Sequence, residues 1–313
     1  MIERNKLIEI DDLFNLKQIT DVSFRPNTNE LYFTINQANK EDNSYRQAIW
    51  TFRKETKQFT QGLPRDGTMR WSPDGGTLAF ISTRGVLSGE SKNSSPLKPQ
   101  IFLISADGGE ALQLTTMING VNNFEWSKDG KTIIFISRLN EDELQEPSVK
   151  EKKDFLPEEV ILMTSEKQKR EEQKIEPRII TREEYRAGTS FKDDRKGQIF
   201  TIDIATKEIK RWTSTITDDY TFAFLANDNS YCLTARQKPG EGDETRNWEI
   251  IKISPNSDVT IIIDNIYVWG AYFEPSPNGK FLISTIDNQQ LGTLGQSKLC
   301  LYDIEKKSRI ILA

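Results

Sequence analysis

Hydrophobic and polar positions along this chain fall into short apolar runs divided by turn residues, and the runs recur. The clearest copy is Trp71-Ser72-Pro73-Asp74-Gly75-Gly76 followed by Leu78-Ala79-Phe80-Ile81-Ser82. A second is Trp126-Ser127-Lys128-Asp129-Gly130-Lys131 followed by Ile133-Ile134-Phe135-Ile136-Ser137. Weaker copies start at Phe24, Phe224 and Pro275, so the successive intervals are 47, 55, 98 and 51 residues. A second motif runs out of phase with the first. Ile101-Phe102-Leu103-Ile104 and Ile199-Phe200-Thr201-Ile202 have counterparts beginning at Ile49, Ile250 and Leu299, spaced 52, 98, 51 and 49 residues. Two motifs keeping the same intervals predict one unit of four short antiparallel strands, repeated about five times, which is the pattern of an all-β β-propeller.

The turn residues have separate jobs. Pro73 presets φ, Asp74 bonds its own backbone, and Gly75 supplies a positive φ. Ala106-Asp107-Gly108-Gly109 is a tight hairpin signal of the same kind. The aromatic before each turn is read as packing between neighbouring units, because large aromatics dominate core energetics. Trp71 and Trp126 are assigned that role rather than stacking on a sugar or base.

Composition adjusts this picture in three places. The chain has 313 residues and is 36% hydrophobic, below the usual globular range. The shortfall concentrates in residues 141–196, where 16 acids and 13 bases occupy 56 positions. Glu158-Glu159-Val160-Ile161-Leu162 and the run Glu166 to Lys174 read as helical and solvent-exposed there, punctuated by Pro147, Pro157 and Pro177. This insertion is either a solvated surface excursion or a lid or docking element over one face of the propeller. The net charge of −5 gives no basic patch for nucleic acid. No apolar run approaches the ~20 residues that span a membrane, and Met1 to Lys6 lacks the apolar core of a signal peptide. Cys232 and Cys300 sit in apolar strand positions and are expected to be buried thiols in a reducing, cytoplasmic setting.

The chain contains no histidine. A Ser-His-Asp triad cannot be assembled from it, and most zinc sites and the usual near-neutral acid–base group go with it. No Gly-x-Ser-x-Gly elbow and no Walker loop occurs. Adjacent acids such as Asp193-Asp194 and Asp218-Asp219 read as solvated turn residues. No catalytic residue, cofactor or metal ligand is expected in this chain.

The repeats and the insertion together resemble a known family. The opening Ile10-Asp11-Asp12-Leu13 to Val22-Ser23-Phe24-Arg25-Pro26, the Trp71 copy and Leu301-Tyr302-Asp303-Ile304 carry part of the likeness. The stretch Arg178 to Arg182 with Tyr185-Arg186, then Asp193-Asp194-Arg195 and Gln198-Ile199-Phe200, carries the more specific part. These features resemble the N-terminal propeller of prolyl oligopeptidase-family serine peptidases, on the acylaminoacyl-peptidase-like branch. The Trp-Ser-Pro-Asp-Gly motif by itself is shared with TolB-type propellers.

The resemblance implies a non-catalytic propeller that gates a cytosolic serine peptidase acting on short peptides, with chemistry supplied by a C-terminal α/β-hydrolase domain absent here. The family's propellers usually have more units than the five counted here. Residues 1–313 are therefore expected to be the front part of a longer protein, with open sheet edges that favour self-association. Arg182, Tyr185 and Arg186 are candidates for the peptide path, since Arg suits a peptide carboxylate. Local pairing of these residues with Glu183, Glu184 and Asp193 is the competing reading. The alternative functions are a stand-alone TolB-like propeller for protein binding and a propeller glycosidase or lyase.

Overall fold

A computed structural model describes residues 9–41, 43–61, 65–84, 98–141, 143, 186–187, 190–191, 195–214, 219–237, 247–267, 273–286 and 298–312. The predicted five units are present as five four-stranded antiparallel sheets. Blade 1 is β1 (Gln18–Phe24), β2 (Leu31–Asn39), β3 (Ser44–Phe52) and β4 (Thr56–Gln58). Blade 2 is β5 (Asp66–Trp71), β6 (Thr77–Ser82), β7 (Gln100–Ser105) and β8 (Leu112–Gln113). Blade 3 begins with β9 (Asn123–Trp126) and β10 (Thr132–Leu139). A separate ribbon, β11 (Arg186–Ala187) with β12 (Ser190–Phe191), intervenes before β13 (Lys196–Asp203) and β14 (Ile209–Arg211) complete that blade. Blade 4 is β15 (Tyr220–Leu225), β16 (Cys232–Gln237), β17 (Asn247–Ile253) and β18 (Val259–Tyr267). Blade 5 is β19 (Phe273–Pro275), β20 (Phe281–Ile286), β21 (Lys298–Asp303) and β22 (Ser308–Ile311). Every four-stranded sheet is consecutive in sequence, so no described blade combines strands from the two ends of the chain.

The recurring turn is held by a recurring set of bonds. Ser72 Oγ donates to Asp74 Oδ1 at 2.5 Å, Gly76 N donates to the same oxygen at 2.9 Å, and Thr77 N donates to Ser72 Oγ at 3.0 Å. Ser127 and Asp129 repeat this set, as do Ser276 and Asn278. Gly75, Gly130, Asn229 and Gly279 take the left-handed φ that closes the turn. In blade 4 the pairing of Leu225 with Cys232 matches that of Trp71 with Leu78. The residue equivalent to Trp71 is therefore Leu225, one position beyond the expected Phe224.

Alternation along the strands sorts side chains into four hydrophobic clusters, one between each pair of neighbouring blades. In blade 2, Leu78 and Phe80 point back to blade 1 while Ala79 points forward to blade 3. In blade 3, Ile133 and Phe135 point back while Ile134 and Ile136 point forward. Stacked pairs sit on the backward faces: Phe80 with Phe102 at 6.1 Å and Phe135 with Phe200 at 5.5 Å. Each such ring contributes roughly 1.5–3 kcal/mol through burial. Trp71 packs edge-on to Tyr32 across the blade 1–2 interface with centroids 4.8 Å apart, as its turn position predicts. Phe24, at the same position in blade 1, is 64% exposed, because no described blade lies behind it.

Both cysteines are buried free thiols, as expected. Burial pushes the Cys232 thiol up to about 12, so it is not a thiolate at neutral pH.

The insertion leaves blade 3 between strands that are direct partners, since Leu139 pairs with Lys196. Its base is clamped by Arg195, whose Nε donates to Glu143 Oε2 at 2.9 Å and whose Nη2 donates to Oε1 at 2.6 Å. Burial alone would raise the Glu143 carboxyl, but the Arg195 bonds and the Asn140 amide take it below its ordinary value. The helical stretches expected over 158–174 lie outside the described residues.

Candidate functional site

The first strand of each blade, joined only to the second within its sheet, ends at the recurring turn. The residue just before the turn position is Ser23, Arg70, Glu125, Phe224 and Glu274 in blades 1 to 5. These residues pair with forward-facing partners, Ala79 for Arg70, Ile134 for Glu125, Leu233 for Phe224 and Ile283 for Glu274. They therefore form a column carried from blade to blade. Arg70 Nε donates to Glu125 Oε1 at 2.7 Å, and Arg70 Nη1 stands 3.6 Å from Asp21 of blade 1. Asp21 also accepts the Met69 amide at 3.0 Å, and Trp126 Nε1 donates to the Arg70 carbonyl at 3.1 Å. One guanidinium thus ties three blades together.

Beside this column lies a cleft of about 570 Å³ shared by blades 3, 4 and 5, with Glu125, Lys128, Phe224, Tyr231, Glu274 and Pro277 among its walls. Neighbouring turns are tied to one another: Lys128 Nζ donates to the Pro277 carbonyl at 3.2 Å, and Asn229 Nδ2 to Asp129 Oδ2 at 3.1 Å. Burial raises the Glu125 carboxyl, Arg70 opposes that, and the nearby charges of Glu274 and Asp21 add to the rise.

The sign of the resulting pH effect follows directly. Folded Glu125 titrates above its ordinary value of 4.5, so over that window the native state holds more protons than the unfolded chain. Stability from this group is then present at low pH and lost as pH rises through the folded value. Substituting Glu125→Gln keeps an oxygen for Arg70 and removes the titration. We expect the stability difference between wild type and variant, from denaturant midpoints, to move in the variant's favour as pH rises above about 4.5. A difference independent of pH would show that Glu125 titrates normally.

The arrangement offers carboxylates, one guanidinium, aromatic faces and a cleft open to solvent, which suits holding a charged or polar chain. Among the described residues no group of three or more His, Cys, Asp or Glu side chains is placed to hold a metal ion. No described helix is long and apolar enough to cross a membrane. Of the residues expected on a peptide path, Arg182 and Tyr185 lie outside the described residues. Arg186 opens β11, where its backbone pairs with Phe191. Sequence reasoning missed Asp21, Arg70, Glu125 and Glu274, although a charged residue next to the Trp71, Trp126 and Pro275 turns was a legible signal.

No family model matches the sequence. A peptidase of Bacillus subtilis, named as the uncharacterized peptidase YuxL, is 30% identical over 219 residues, which is 67% of this chain and 28% of that protein. Among solved structures, the acylaminoacyl peptidase of Pyrococcus horikoshii superposes over 93% of this chain and 39% of its own, with a TM-score of 0.62 and 13% identity. A protein of Agrobacterium tumefaciens provisionally assigned as TolB superposes over 95% of this chain and 81% of its own, with a TM-score of 0.55 and 13% identity. The class is thereby defined: this chain is a β-propeller of four-stranded blades. Its fold is that of the N-terminal propellers of prolyl oligopeptidase-family peptidases, shared also with TolB, and a sequence relative is named as a peptidase. It spans 28% of the length of that peptidase and 39% of the acylaminoacyl peptidase.

Proposed function

We propose that this propeller is the non-catalytic gate of a cytosolic serine peptidase of the acylaminoacyl-peptidase or oligopeptidase kind, selecting short peptides for a hydrolase domain on the same polypeptide. The observation that carries the reading is the charged column of Arg70, Glu125 and Glu274 beside an open cleft, in a fold that peptidases carry. A peptide's ammonium group suits the carboxylates and its carboxylate suits arginine. Arg182, Tyr185 and Arg186 remain candidates for the second contact. Two buried free thiols suit a reducing compartment.

The test is the intact mass of the native gene product, paired with labelling by a serine-hydrolase probe. A labelled species larger than 36.0 kDa by at least one ~250-residue domain supports the reading. In that species, Glu274→Ala should raise KM for peptides with a free amino terminus and leave acetylated peptides unchanged. An unlabelled product of 36.0 kDa would overturn it in favour of a stand-alone binding propeller, the reading that the extensive overlap with TolB favours.

A further inference from the structure

Blade 1 departs from its own repeat at neighbouring positions. Strand register equates Arg53 with Ser105, Asp203, Ser254 and Asp303. In blades 2 to 5 that Ser or Asp accepts a backbone amide of its own hairpin: Asp107 N, Thr206 N, Asp258 N and Lys306 N. Arginine has no acceptor, so blade 1 gives up this cap. Its Nη2 donates instead to Tyr32 Oη at 3.0 Å and to the Ala106 carbonyl of blade 2 at 3.4 Å. Tyr32 is itself a departure, standing where the other blades have Ala79, Ile134, Leu233 and Ile283.

A further departure leaves a polar group without a partner. Thr51 is equivalent to Thr201, whose Oγ1 accepts Trp212 Nε1 at 3.0 Å. Phe59 takes the place of Trp212 in blade 1, since their amides donate to the equivalent Ile49 and Ile199 carbonyls. Phenylalanine has nothing to donate. Thr51 is 8% exposed, and its Oγ1 has no hydrogen-bond partner among the described residues. A buried orphan of this kind is costly and calls for a reason.

Thr51, Arg53, Lys54 and Phe59 all lie in the wall of one cavity of about 720 Å³, between the outer hairpins of blades 1 and 2. Two of its carboxylates are already engaged. Glu30 is shared by Arg53 Nε at 3.0 Å and Arg25 Nη1 at 3.2 Å, and Lys57 holds Glu55 at 2.6 Å. Against Asp107, the remaining acid, stand Lys54 and the second guanidinium on Glu30, so positive charge is in excess. Arg53 Nη1 is not spent on any described residue.

We propose that this cavity binds a small carboxylic acid with an apolar body. Arg53 and Lys54 take the carboxylate, the Thr51 hydroxyl supplies a further bond, and the body lies against Phe59. The site is separate from the cleft of blades 3 to 5 and does not depend on the peptidase reading.

Saturation-transfer NMR of the 313-residue chain with benzoate as the probe provides the test. Benzoate should receive saturation, while benzamide and benzylamine at the same concentration should not. Arg53→Met should weaken benzoate binding about tenfold, the loss expected for a charged hydrogen bond. Arg53 and Lys54 are both exposed, so folding should survive, and Lys54→Glu serves as the second variant. Thr51→Val should raise the melting temperature, since it removes the orphan, and weaken benzoate binding. A merely structural threonine would leave binding unchanged. Absence of transfer to benzoate would overturn the proposal, as would equal transfer to benzamide. So would undiminished binding in both Arg53→Met and Lys54→Glu, which would place benzoate elsewhere on the chain.

Discussion

Replacing Gly197 with alanine is expected to destabilise the chain by about 3 kcal/mol or more, although it adds only one methyl group. Gly197 lies in β13 where the entry to blade 4 crosses it. A Cβ there would stand 2.1 Å from the Tyr220 carbonyl oxygen, 3.1 Å from Asp219 Oδ1 and 3.2 Å from Ile136 Cγ2. The nearest obstacle is backbone, so no rotamer change relieves it. The Gly197 amide also donates to Asp219 Oδ1 at 2.7 Å, a bond the displaced strand would strain. Tyr220 belongs to the blade 3–4 cluster, so the shift spreads into a packed interface. The check is thermal melting beside a Gly108→Ala control. Gly108 has φ +90 but nothing within 4 Å of an added Cβ, so its substitution should cost only backbone strain, about 1 kcal/mol. A Gly197→Ala variant melting as high as the control would refute the close approach.

The repeat was legible because its turn chemistry is local. Ser72 and Asp74 fold the turn through bonds spanning five residues or fewer, so the motif survives in blades that share little else. The alternation Leu78-Ala79-Phe80 also announced two buried faces. What the turn motif did not carry was misjudged. In blade 4 the turn lacks its serine and begins at Ala226, which let Phe224 be taken for the register residue in place of Leu225. Phe24 was assigned to packing by analogy with Trp71, but burial at that position depends on a preceding blade rather than on the residue itself. The charged column was hidden for a related reason. Asp21, Arg70 and Glu125 are far apart in sequence and meet only when blades are stacked, so no spacing rule within one repeat brings them together.

The second large effect is expected at the opposite end of blade 2, where β5 begins and β6 ends. Asp66 is fully buried and paired with Arg84, while Ser82 Oγ donates to its other oxygen at 2.7 Å. The Arg84 guanidinium also lies 5.0 Å above the Phe80 ring and 5.6 Å from Phe102, covering the stacked pair. Substituting Arg84→Met leaves a carboxylate in the interior without its counter-charge, a change that typically costs about 3–5 kcal/mol. It also forfeits a cation–π contact of about 0.5–2 kcal/mol, partly offset by methionine packing on the rings. Removing both charges is a different matter, because the stranded charge, rather than the lost attraction, dominates the penalty. Asp66→Asn with Arg84→Met should therefore recover more than half of the loss, leaving an amide that Ser82 can still serve. Denaturant unfolding of the wild type, the two single variants and the double variant measures the coupling directly. A double variant as unstable as the sum of the singles would mean that the two side chains act independently. The end of blade 2 would then owe its stability to the Phe80–Phe102 packing and not to the buried pair.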